Sequence, residues 1–182
     1  MSKKIIIFNG SPRKNGNTET MANAFMEEAE NNGHIVTKCD IARMNFKGCN
    51  ACDKCFTKDN KPCIQDDDFN SLVPVIYDSD VLIFSFPLYW FSTPAQLKLL
   101  IDKFHALAFK EGMANKEYGI ISACAKPTTE FFQGVQYQLK QTSTLFDNWT
   151  KLGEVLIPGV VAVGDINNTN GVEKARELAK KL

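Results

Sequence analysis

Lys3-Lys4-Ile5-Ile6-Ile7-Phe8-Asn9-Gly10-Ser11-Pro12-Arg13-Lys14-Asn15-Gly16-Asn17-Thr18 runs from an apolar segment into a polar turn carrying two glycines. Ile5 to Phe8 is rich in β-branched and aromatic residues and reads as a buried strand. Beyond Thr18, residues Met21, Ala22, Phe25, Met26 and Ala29 recur at helical spacing and share one face. Strand, polar loop and helix N-terminus form a unit suited to an anion. The first amides of the helix have no intrahelical acceptor and point at the loop. The helix dipole favours an anion there by about 0.3–2 kcal/mol. Ser11, Asn17 and Thr18 offer further donors, Gly16 lets the backbone approach closely, and Arg13 offers a charge-assisted bond. The alternative is an ordinary surface turn capping a helix.

The kind of phosphate follows from what the loop lacks. A Walker loop has Lys directly after its second glycine, whereas Asn17 follows Gly16, and the spacing from Gly10 is one residue too long. The dinucleotide pattern G-x-G-x-x-G fails because Pro12 stands at its second glycine. The loop has no cysteine to act as a phosphatase nucleophile. It therefore reads as a holder of a terminal phosphate that does no chemistry on it.

Gly10-Ser11-Pro12-Arg13 followed by Gly16-Asn17-Thr18 resembles the phosphate loop of the flavodoxin-like NAD(P)H-dependent FMN reductases, a family that includes the iron–sulfur flavoproteins. The resemblance extends over nearly the whole chain, as the later segments show.

The 182 residues suit one domain, 1–182, with a full core. Lys plus Arg number 21 and Asp plus Glu number 21, so no basic field or run is offered to nucleic acid. No apolar stretch approaches the ~18 residues of a membrane span. The N-terminal apolar run is too short for a signal peptide, and a cytoplasmic location is expected.

Strand and helix patterns alternate along the chain. Residues 34–39 read as a second strand, 81–86 as a third and 118–124 as a fourth. A fifth comprises 155–157 and 160–163, bent at Pro158-Gly159. Helices are expected after Asp66-Asp67-Asp68, shortened or kinked by Pro74; after Ser92-Thr93-Pro94, with Leu97, Leu100, Ile101 and Phe104 inward; from Phe131 through Val135 and Leu139 to Leu145 or Phe146; and after Gly171. Residues 43–67 show no period. Near-continuous apolar strands separated by helices indicate an α/β fold, a three-layer, doubly wound, five-stranded parallel sheet. The family resemblance implies the flavodoxin-like order 2-1-3-4-5. Ligands of such sheets bind beyond the carboxyl ends of the strands.

A second loop, Pro87-Leu88-Tyr89-Trp90-Phe91-Ser92-Thr93-Pro94, puts three consecutive aromatics where the third strand ends. Such a cluster marks a binding surface for a flat ring, or else caps the core. Pro87-Leu88-Tyr89-Trp90 with Pro94-Ala95-Gln96-Leu97-Lys98 and Ile101-Asp102-Lys103 resembles the family's second flavin loop and its helix. Phosphate on one loop and ring on the next indicate FMN. A third loop, Cys124-Ala125-Lys126-Pro127-Thr128-Thr129-Glu130, would close the ring's pyrimidine side. Lys126-Pro127 departs from the glycine-rich sequence common in the family. Cys124 is either a ring contact or a small buried hydrophobe.

Cys49, Cys52, Cys55 and Cys63 read C-x2-C-x2-C-x7-C. The first three have ferredoxin spacing; four thiolates also hold Zn²⁺; free or structural thiols complete the alternatives. The spacing resembles that of the iron–sulfur flavoproteins, which implies a [4Fe–4S] cluster near FMN.

The resemblance implies an oxidoreductase that takes hydride from NAD(P)H as cosubstrate and passes electrons to a small-molecule acceptor such as a quinone, nitro-compound or flavin. The flavin carries the chemistry, so no catalytic side chain is demanded. His34 and His105 read as structural. The runner-up is an iron–sulfur electron carrier fed by a ferredoxin-like partner; a non-catalytic flavin- or metal-binding regulator is a third reading. The family also implies a homodimer or higher oligomer.

Overall fold

The structure is a computed structural model and describes residues 1–57, 62–108 and 111–182. Of the aperiodic stretch 43–67, residues 58–61 lie outside the described residues. Five strands, β1 (Lys4–Asn9), β2 (Ile35–Cys39), β3 (Val81–Pro87), β4 (Glu117–Ala123) and β5 (Thr150–Ile157), form one parallel sheet of order β2-β1-β3-β4-β5. Among the described residues, five α-helices are α1 (Asn17–Asn31), α2 (Phe69–Asp78), α3 (Ala95–Lys103), α4 (Gln133–Ser143) and α5 (Gly171–Ala179).

Alternation along the strands builds two cores. Ile5, Ile7, Val81, Ile83, Ile121 and Val155 meet Met21, Phe25 and Ala29 of α1 and Ala175 and Leu178 of α5. Ile6, Phe8, Leu82, Phe84, Phe86 and Ile120 face the other way, onto α2, α3 and α4. Both faces of the sheet are thus covered, which accounts for the uniformly apolar central strands. Helix α1 ends at Asn31 and leads into a turn in which Gly33 has φ +84°. Helix α2 is short, at 10 residues, and runs through Pro74, which is exposed.

Two expectations are corrected. The fifth strand is longer at its start and shorter at its end than its apolar residues suggest. It begins at Thr150 and ends at Ile157, and Gly159 at φ +75° turns 160–163 into a loop. Val161 and Val163 are exposed there. The fourth helix does not run from Phe131 to Phe146. A 3-10 turn, Thr129–Phe132, precedes α4, which stops at Ser143. Phe132, rather than Phe131, is the fully buried residue at that entrance.

No described helix is long and apolar enough to cross a membrane.

Candidate functional site

The carboxyl ends of β1, β3, β4 and β5 open into one cavity of about 220 Å³. Its walls come from Ser11, Arg13, Gly16, Asn17 and Thr18; from Pro87, Leu88 and Tyr89; from Cys124 with Ala123 and Ala125; and from Val160, Val161 and Val163. The polar residues sit on the β1 loop and the apolar ones on the others, so the cavity has a polar end and an apolar end. Complete small-molecule pockets hold roughly 300–1,000 Å³, so a bound tricyclic ring would extend past this cavity toward the aromatic turn. Two larger hollows of about 620 Å³ lie away from the strand ends, one between α4, β5 and α5 and one between α3 and α4. Neither is lined by the β1 loop.

The β1 loop is tied down from several sides. Gly10 donates its amide to the Ser85 carbonyl at 2.8 Å, and the Ser85 hydroxyl donates to the Thr18 carbonyl at 3.2 Å. A Cβ at Gly10 would stand 3.1 Å from Leu97 Cβ, and one at Gly16 would stand 3.1 Å from both the Arg13 carbonyl and Ser11 Oγ. These close approaches leave little room for a side chain at either glycine and keep the loop compact beside the first turn of α1. Ser11 and Thr18 are buried; Arg13 is at the rim, donating to the Val161 carbonyl at 3.2 Å. The Asn17 side chain is committed elsewhere. It donates to the Ala162 carbonyl at 2.8 Å and accepts from the Gly164 and Ile166 amides at 3.0 and 3.3 Å. Its own backbone amide remains in the first turn of α1.

Trp90 and Phe91 do not line the cavity. They form the tip of a two-residue turn, closed by reciprocal Tyr89–Ser92 amide-to-carbonyl bonds of 3.0 Å. Both have positive φ, 46° and 62°, as a type I′ turn requires but bulky residues resist. Trp90 is 95% exposed, and Phe91 stacks on Phe131 at 5.6 Å. Strain of this kind costs about 1–3 kcal/mol per residue and concentrates at ligand sites. On the same loop, the buried Thr93 hydroxyl has no protein partner among the described residues. Cys124 is buried and donates its thiol to the Lys126 carbonyl at 3.5 Å; burial pushes its pKa up. That describes a wall, not a nucleophile.

The wall Val160-Val161-Val163 is the part that sequence reading missed, because an apolar run after a strand pattern reads as more strand. The signal available was Pro158-Gly159, which ends the strand instead of bending it.

The cysteine loop forms a second, smaller site on the α3 side. Cys49, Cys52, Cys55 and Cys63 all line one narrow cavity, together with Asp53, Gln65, Lys103 and His105. Ala51 and Asp53, which alternate with the cysteines, have φ of 49° and 54°. Burial raises the Cys55 pKa, and the neighbouring Cys63, Asp53 and Cys52 push it further the same way. His105, read as structural, pairs through Nε2 with Asp53 Oδ1 at 3.1 Å and meets the Phe56 ring edge-on. Among the described residues, no three Cys, His, Asp or Glu side chains converge on a point where a single metal ion could sit.

A parallel sheet of order 2-1-3-4-5 with its cavity at the carboxyl ends of the strands is the flavodoxin-like arrangement. The chain belongs to the NADPH-dependent FMN reductase family, whose model matches residues 3–163. An iron–sulfur flavoprotein of Archaeoglobus fulgidus is 30% identical over 176 residues, covering 95% of this chain and 76% of that protein. One from Methanosarcina thermophila is 29% identical over 192 residues, covering 98% and 93%. In fold, the chain matches an NAD(P)H:quinone oxidoreductase from Methanothermobacter marburgensis with a TM-score of 0.76, at 18% identity over 99% of this chain and 96% of that one.

Proposed function

We propose that the chain binds FMN with its phosphate on the Ser11–Thr18 loop and its ring against Pro87–Phe91 and Cys124, and uses NAD(P)H to reduce a quinone, nitro-compound or flavin. The observation that carries this is the single cavity lined by nine of the eleven residues expected from the sequence, with a polar anion end and an apolar ring end. Bound FMN supplies hydride and electron chemistry to a protein that need offer no acid or base of its own. The residues of this chain bind and orient. The α1 amides, Ser11, Thr18 and Arg13 hold the phosphate; Leu88, Tyr89 and the valines 160, 161 and 163 exclude water from the inner edge of the ring. The strained aromatic turn presents Trp90 at the mouth, where a flat acceptor or a nicotinamide can stack. We further propose that the protein is cytoplasmic and works as a homodimer; the exposed apolar Tyr137 and Leu145 beside the α3–α4 hollow support an assembled form, which light scattering tests.

The test is direct. Protein incubated with FMN and desalted should release near one FMN per chain on denaturation, and should oxidise NADH or NADPH with a quinone. Absence of bound flavin, or release of FAD, refutes the reading.

A second reading is favoured by the cysteine cavity. The donor set fits a [4Fe–4S] cluster in number and kind, because a cubane takes one thiolate per iron and its four ligands need not meet at a point. A lone Zn²⁺ needs donors that do, and the arrangement of the cysteines does not favour it. On this reading Cys49, Cys52, Cys55 and Cys63 hold the cluster and the protein relays electrons from a ferredoxin-like partner. The relatives described as iron–sulfur flavoproteins support it. Anaerobic reconstitution with iron and sulfide should give brown protein that loses its colour, but not its FMN, when any one of the four cysteines becomes Ala. Failure to take up iron refutes it.

A further inference from the structure

We infer that Lys103 is a positioning residue of the cysteine site, fixing Cys63 as a cluster ligand and setting the cluster's potential. The inference rests on the cluster reading above.

Lys103 is the last residue of α3 and is only 2% exposed. Its ammonium bonds the equally buried Asp67 carboxylate, donates to Gln65 Oε1 at 2.7 Å and reaches Cys63 Sγ at 3.8 Å. The Phe69 ring lies beneath it, 5.5 Å from Nζ to the centroid. One cation therefore gathers three side chains of the segment 63–67.

The rest of that segment is pinned with the same economy. Asp67 accepts from the Lys47 amide at 2.9 Å and the Phe69 amide at 3.1 Å, so it clasps the entrance and exit of the cysteine loop. Asn70 accepts from the Cys63 amide at 2.8 Å and donates to the Cys63 carbonyl at 3.0 Å. Cys63 is held at its amide, its carbonyl and its sulfur.

A fully buried ion pair is a costly way to close a loop. Apolar residues of similar size usually stabilise as well or better. Its retention beside a thiol needs a reason besides stability, and the contact with sulfur supplies one. The ammonium, not the carboxylate, is the member of the pair that touches Cys63. A thiolate ligand there gains a charge-assisted N–H···S bond. Reduction adds one electron to a cluster already carrying four thiolates, and a cation at a ligand sulfur favours that added negative charge. Hydrogen bonds to the sulfurs and local charge are among the factors that set such potentials.

The experiment compares anaerobically reconstituted wild type, Lys103→Arg, Lys103→Met and the double variant Lys103→Met/Asp67→Asn. The double variant avoids leaving an unpaired buried carboxylate, so it remains informative where Lys103→Met alone fails to fold. Iron, sulfide and FMN are measured per chain, and the cluster is titrated with mediators. FMN retention reports on folding. Expected is FMN in every folded variant, with either at least half the iron lost from the double variant or, where the cluster stays, a reduced-to-oxidised ratio at fixed potential lowered at least tenfold. Tenfold is 59 mV for a one-electron couple. Lys103→Arg should retain iron and lie within that margin. Wild-type iron and a smaller shift in the double variant would overturn the inference and leave the cluster reading standing. Iron lost equally from Lys103→Arg would mark packing damage and also overturn it. A wild type that takes up no iron would remove the cluster reading and the inference together.

Discussion

Trp90→Asn separates the two things the aromatic turn does. Trp90 sits at φ 46° and is 95% exposed, so its ring contributes almost nothing to packing while its backbone is held in a left-handed conformation. That conformation costs an ordinary side chain about 1–2 kcal/mol, and Asn tolerates it far better. With no burial to lose, the substitution should stabilise the flavin-free protein by about 1 kcal/mol. For a chain of this size that raises Tm by about 2–4 °C. The same change removes a large aromatic face from the turn that follows cavity-lining Tyr89, where the proposed ring would extend. Such faces contribute about 0.5–1.5 kcal/mol beyond the area they bury, so FMN affinity should fall several-fold. Phe91→Gly is the matched control: it relieves similar strain at φ 62° but forfeits the stack on Phe131, so its Tm should move less. Thermal melts without flavin and calorimetric titration with FMN read both quantities. If Trp90→Asn lowers the flavin-free Tm, the turn is not strained as argued. If FMN binds as tightly as before, Trp90 has no part in holding the ring.

Three further outcomes follow from the same geometry. Arg13→Ala and Ser11→Ala should weaken FMN by about 1.5–3 kcal/mol each while leaving riboflavin, which lacks the phosphate, nearly untouched; equal losses for both flavins would remove these residues from the phosphate site. Gly171→Ala places a Cβ 2.6 Å from Ile166 Cδ1 and 3.0 Å from Met21 Sδ, and should cost about 1–3 kcal/mol in urea unfolding; a neutral result would mean that α5 can shift freely. At Asp67, burial works to raise the pKa, but hydrogen bonds from Lys103 and the Lys47 and Phe69 amides outweigh it and hold the carboxyl below the ordinary aspartate range. Its contribution is therefore full above about pH 4 and is lost as pH falls through the lower folded-state value. Unfolding midpoints should drop in that acid window, and Asp67→Asn should flatten the drop.

The sheet was legible because β1, β3 and β4 are buried on both faces and announce themselves as unbroken apolar runs. β5 is an edge strand whose Lys151, Gly153 and Glu154 carry no such mark, so only its inner end was read. Gly16 and Thr18 were read from a local pattern, and both line the cavity at the strand ends. Asn17 carries the same kind of donor, yet its side chain serves the loop after β5, a partner about 145 residues away that no window could contain. The four cysteines were grouped by their spacing, and they line one cavity. Lys103 was read only as part of the helix after the second loop, because Cys63 lies 40 residues away, outside any local pattern.

The Asn17 contacts also bear on how the protein is made. The first helix and the loop at 162–166 are bound to each other by one amide side chain, and Arg13 reaches the same loop. Residues about 145 positions apart in the chain thus share one wall of the cavity. During synthesis the β1 loop can form early, but the cavity stays open on that side until the segment beyond Pro158 has left the ribosome. A capture of flavin that depends on the closed cradle then reports that translation has passed this point.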